Sequence, residues 1–149
     1  MAFTARNPDV SRKVAVRRRL AAGAAALVVT GAGLALRAGA TGDAAKYGGD
    51  ALYTLLVLAL VVLAAPRTAA LRACAVAPAV SWGVEFLQLT ELPADLSRRS
   101  TVARWVLGST FNAPDLFWYA VGAAAGWLVL TVRERRRHAP SLAEPIEFR

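Results

Sequence analysis

The sequence predicts an all-α, polytopic membrane protein: four transmembrane helices with a long outer loop between the third and the fourth. Three observations predict it. Hydrophobic residues fill 56% of the 149 positions, more than the roughly half found in soluble domains. Four runs, residues 20–36, 51–66, 73–84 and 116–132, carry no charged side chain. The basic residues collect in tails at the two ends rather than on one helix face. A spanning helix takes ~20 mostly apolar residues, so each run needs its flanks. Arg19, Arg37, Arg67, Arg72 and Arg133 supply them, because a long side chain leaves its stem in lipid and carries its charge outward. The chain thus divides into a basic tail at 1–19, a membrane domain at 20–132 with helices at about 20–37, 50–66, 70–89 and 114–132, and a second basic tail at 133–149.

The net charge of +8 sets orientation. With both termini in the cytoplasm, thirteen of the eighteen basic residues lie inside, and only Arg37, Lys46, Arg98, Arg99 and Arg104 lie outside. That is the asymmetry of the positive-inside rule, and the tails can then touch anionic lipid. No aromatic residues interleave the basic runs, so nucleic acid is not an expected partner. Cys74 is the only cysteine and His138 the only histidine. An internal disulfide is excluded, and neither a metal site nor a cofactor is expected.

The first helix is rich in alanine and carries Gly23, Gly31 and Gly33, which suits close approach to a neighbour. Its basic lead and Ala38-Gly39-Ala40 also imitate a secretory signal, a reading that the length of the run and Arg37 disfavour. Gly48-Gly49 are expected to break helix before Asp50, which then opens the second helix as a cap, with Tyr53 one turn on. Pro66-Arg67-Thr68 make the turn to the third helix, where Pro78 removes one backbone hydrogen bond. Ser81, Glu85 and Gln88 fall at i, i+4 and i+7 and share one stripe. The loop at 89–113 is too long for a turn, and its apolar centre VARWVL (102–107) is expected at the headgroups or as a re-entrant piece. Asn112-Ala113-Pro114-Asp115 combine a capping side chain, an early proline and an acid, a strong helix start. Asp115, Tyr119, Gly122 and Gly126 then fall on one face, so both glycines are expected to pack against another helix.

Arg37, Lys46, Asp50, Tyr53, Glu85, Gln88, Arg99, Arg104, Asp115 and Tyr119 therefore gather at the outer ends of the helices. Two readings stand: an ion-pair network that fixes packing, or a site for an anionic or polar ligand. Asp50 and Asp115 have helix starts to explain them, whereas Glu85 has none. A carboxylate at bilayer depth costs about 2.5–3.5 kcal/mol on insertion scales, so Glu85 is expected to be ionised and paired with Arg37 or Arg99, and next with Arg104. Nothing in these residues derives a reaction.

The blocks GLALR (33–37), KYGGDALY (46–53), VEFLQL (84–89) and VLGSTFNAPDLFWYAVG (106–122) resemble, in that order, the bacterial membrane family catalogued as domain of unknown function 2809. Arg99-Ser100-Thr101 matches that family's loop arginine, and Tyr53 stands where the family tends to carry tryptophan. Glu85-x-x-Gln88, a loop arginine, then Asp115 and Gly122-x-x-x-Gly126 are also similar to VanZ-like proteins, associated with glycopeptide resistance and the cell envelope, which usually place asparagine at the position of Tyr119. The resemblance implies a multi-pass protein of the bacterial inner membrane and no particular chemistry. Three functions are open on sequence: recognition of an envelope precursor or lipid headgroup at the outer polar cluster, a proton-linked transporter or channel component, and a structural subunit of a larger complex. Transport would require a homo-oligomer, since four short helices leave little room for a pathway.

Overall fold

The computed structural model describes residues 8–108 and 110–138. It contains six helices and, among the described residues, no strand: α1 (Pro8–Gly39), α2 (Gly42–Ala64), α3 (Ala70–Leu87), α4 (Leu92–Arg99), α5 (Thr101–Leu107) and α6 (Ala113–His138). The four long helices α1, α2, α3 and α6 are long and apolar enough to cross a membrane. The protein is an all-α, multi-pass membrane protein.

The α2 helix is the centre of the bundle and packs against α1, α3 and α6, while α3 also packs against α6. The buried core is made of small and medium side chains, Ala22, Leu58, Val62, Ala73, Cys74 and Ala77. Larger apolar residues such as Leu27, Val28, Leu71 and Leu128 point outward. This inversion follows from the solvent: lipid gives no drive to bury leucine, so helices associate where small residues let backbones approach. Gly122 and Gly126 make the closest approach. A Cβ on Gly122 would collide with the carbonyl oxygen of Ala51, and one on Gly126 with the side chains of Leu58 and Leu55.

Two helices continue into the basic tails. The α1 helix begins at Pro8 and not near residue 20, because the basic stretch 12–19 consists largely of good helix formers that extend it into water. The α6 helix likewise continues to His138, and the rest of the C-terminal tail lies outside the described residues. The break between α1 and α2 falls at Ala40-Thr41, before Gly42 with φ +67°. It does not fall at Gly48-Gly49. Gly48 lies within α2 because Leu36 of α1 packs onto it: a Cβ there would stand 2.7 Å from Leu36 Cδ2.

The segment after α3 is not a single loop. Pro93 opens α4, Ser100 accepts from the Ala103 N–H (3.3 Å) and caps α5, and Gly108 at φ +66° ends it. No residue of α5 is buried, and Trp105 and Val102 are exposed. This helix therefore does not enter the helix bundle. Its end is tied down by Gln88 Nε2, which donates to the Leu107 carbonyl (2.6 Å), and by Ser97 Oγ, which donates to that of Gly108 (2.9 Å).

Candidate functional site

At one end of the bundle meet the C-terminus of α3 and the N-terminal turns of α2 and α6. Here polar side chains converge. Glu85 is 1% exposed, and its two oxygens have separate donors: the Asn112 backbone N–H reaches Oε1 (2.5 Å) and the Tyr119 hydroxyl reaches Oε2 (3.1 Å). The Asn112 N–H is available because it precedes α6, where backbone donors have no helical acceptor. Asp115, in the first turn of α6, accepts from Lys46 Nζ of α2 and from the Asn112 side-chain amide. The Lys46 side chain is 43% exposed and that of Asp115 only 9%, so the pair forms the rim of the cluster.

Asp50 is the odd member. The α2 helix starts at Gly42 with Asp43 in its first turn, so Asp50 lies two turns inside and caps nothing. It sits within electrostatic reach of Asp115, Lys46 and Glu85, yet its Oδ2 is buried with no hydrogen-bond partner among the described residues. Gln88 Oε1 is a second buried acceptor with none among them. One turn below Asp50, Thr54 Oγ1 donates to Ser81 Oγ (3.2 Å), which donates to the Ala77 carbonyl (3.1 Å), a fully buried link between α2 and α3. The Tyr53 and Tyr119 rings pack at 6.1 Å between centroids. At the rim, Tyr47 stacks on Trp118 at 5.3 Å, an amphipathic pair of the kind found at a membrane–water boundary.

The structure thus brings together Lys46, Asp50, Tyr53, Glu85, Asp115 and Tyr119; Gln88, just past the end of α3, donates instead to the Leu107 carbonyl. The cluster leaves out the arginines. Arg37, Arg99 and Arg104 are exposed; the ion pair of the cluster is Lys46–Asp115, and Arg98 pairs with Asp95 at i,i+3 on the surface of α4. The expected pairing of Glu85 with an arginine is therefore wrong. A backbone N–H and a phenol stabilise the carboxylate without burying a second charge, and the arginines stay solvated. Two members were missed by sequence reasoning. Asn112 reads only as a helix cap, since a backbone donor carries no signature. Thr54 lies at i+4 from Asp50, a spacing that could have marked it. No three His, Cys, Asp or Glu side chains among the described residues converge closely enough to hold a metal ion.

Fold and site together define a small multi-pass membrane protein with a carboxylate-rich cluster near one end of its helices. The family described as protein of unknown function (DUF2809) matches residues 41–123, more than half of the chain, and the protein belongs to that family. The matched region holds every member of the cluster and leaves out α1 and the second half of α6. No curated protein and no solved structure matches the chain.

Proposed function

We propose that the protein lies in a bacterial inner membrane with both termini in the cytoplasm, and that its outward-facing cluster binds a hydrogen-bond-donating ligand. An ammonium group or the hydroxyls of a sugar, as carried by an envelope precursor or a lipid headgroup, has this chemistry. The observation that carries the reading is the buried Oδ2 of Asp50, which has no hydrogen-bond donor among the described residues and lies beside Asp115 and Glu85. A buried acceptor without a donor costs about 1–3 kcal/mol, and a donor brought by a ligand removes that cost. Three carboxylates against one lysine disfavour the anionic ligand that loop arginines would have suited. The positive-inside count supports the orientation.

The test is a thermal-shift titration of the detergent-solubilised protein with ethanolamine, glucosamine and glucose. At least one should raise the unfolding midpoint of the wild type and not that of Asp50→Asn. If none does, or if Asp50→Asn responds equally, the reading fails. A proton-linked component of an oligomer is a second reading, favoured by the proximity of three carboxylates. It predicts that Asp50→Asn abolishes proton uptake into liposomes while ligand titrations stay flat. The apolar inner halves of all four spans weigh against it.

A further inference from the structure

The opposite end of the bundle carries a second site. Between α1 and the turn joining α2 to α3 lies an open cleft of ≈ 660 Å³, lined among the described residues by Arg12, Arg19, Arg67, Thr68 and Arg72 among others and by no carboxylate. All four arginines are exposed. The walls are fixed in place. Arg18 Nη2 donates to the Thr68 carbonyl in the turn (3.3 Å) and Arg19 Nη2 to the Ala64 carbonyl (3.4 Å), the latter an acceptor that the end of α2 leaves free. Four guanidinium groups held around one concavity repel one another unless an anion lies between them, and the planar fork of arginine matches phosphate oxygens in pairs.

We propose that this cleft binds the phosphate of an anionic lipid headgroup. Its depth and its flanks select a lipid over free phosphate. It lies where the apolar run of α1 ends and where α2 gives way to α3, at the level of headgroups. Ala15, Val16, Ala64 and Pro66 share the lining with the arginines, and Val16 is 48% exposed, which gives acyl chains an apolar wall beside them. The site is independent of the carboxylate cluster and includes α1, which the family match does not cover.

Nanodiscs of phosphatidylcholine alone, of phosphatidylcholine with phosphatidylglycerol, and of phosphatidylcholine with added inorganic phosphate test it. The readouts are the unfolding midpoint and the phosphatidylglycerol retained in native mass spectrometry. Phosphatidylglycerol should raise the midpoint and be retained. Arg12→Gln and Arg72→Gln should each weaken retention by about fivefold, the effect of one basic residue at an anionic surface, and Arg98→Gln at the far end should not. Arg12 stands on an exposed helix face, so its replacement reads binding without disturbing the fold. Equal loss with Arg98→Gln would reduce the effect to overall charge and overturn the site. Stabilisation by inorganic phosphate alone, or none by either, would overturn the lipid.

Discussion

Glu85 shows what one side chain can reveal and conceal. Its place on a buried stripe with Ser81 was legible from spacing, and so was its need for partners. Their identity was not, because one is a main-chain N–H and the other a hydroxyl contributed by a residue 34 positions away. Tyr119→Phe removes that hydroxyl and leaves Oε2 buried without its donor, so it should destabilise the protein by about 1–3 kcal/mol in detergent unfolding. Substituting Arg37, Arg99 or Arg104 by Gln should leave the same measurement within about 0.5 kcal/mol, as expected of exposed positions. A large effect of any one of these arginines would reinstate an ion pair with Glu85.

Among the elements, the crossing of α2 and α6 is the most closely fitted. Gly122 and Gly126 were placed on the packed face by their i+7 and i+11 spacing from Asp115, but sequence could not say what each one meets. Gly122 faces backbone and Gly126 faces leucine side chains, and the two should respond differently. A methyl at Gly126 can displace a leucine rotamer and should cost about 1 kcal/mol, whereas one at Gly122 meets a carbonyl that cannot step aside and should reach the upper part of the ~1–3 kcal/mol range for overpacking. Comparing the unfolding midpoints of Gly122→Ala and Gly126→Ala checks the order; the reverse order would place the close approach elsewhere. The start of α2 was misread for a related reason. A glycine pair is a helix breaker on propensity, yet at Gly48 the missing side chain is what lets Leu36 of α1 dock, so packing outweighs it.

At the scale of the whole molecule, four spans and the tendency of α1 to end near Arg37 could be read from charge-free runs, since bilayer thickness imposes length directly. The convergence of Lys46, Asp50, Glu85 and Asp115 at one end was legible from the alternation of helix direction. The arginine cleft at the other end was not, because it depends on α1 continuing past the apolar run to Pro8 and on the turn folding back beside it. Reporter fusions test the arrangement across the membrane. An exported-phosphatase fusion placed after Val132 should be inactive and one placed after Arg98 active, and the opposite pattern would invert the protein.

The donors to Glu85 and one partner of Lys46 belong to α6 or the residue just before it, which leave the ribosome after α2 and α3. Until then Glu85 lacks the groups that stabilise it, at about 2.5–3.5 kcal/mol on insertion scales. Biogenesis is therefore expected to include a completion step: α2 and α3 can be threaded into the bilayer, but Glu85 is satisfied only when α6 arrives. A chain truncated after Phe111 should be cleared by membrane proteases in pulse–chase labelling, and Glu85→Leu should prolong its lifetime by removing the group that waits.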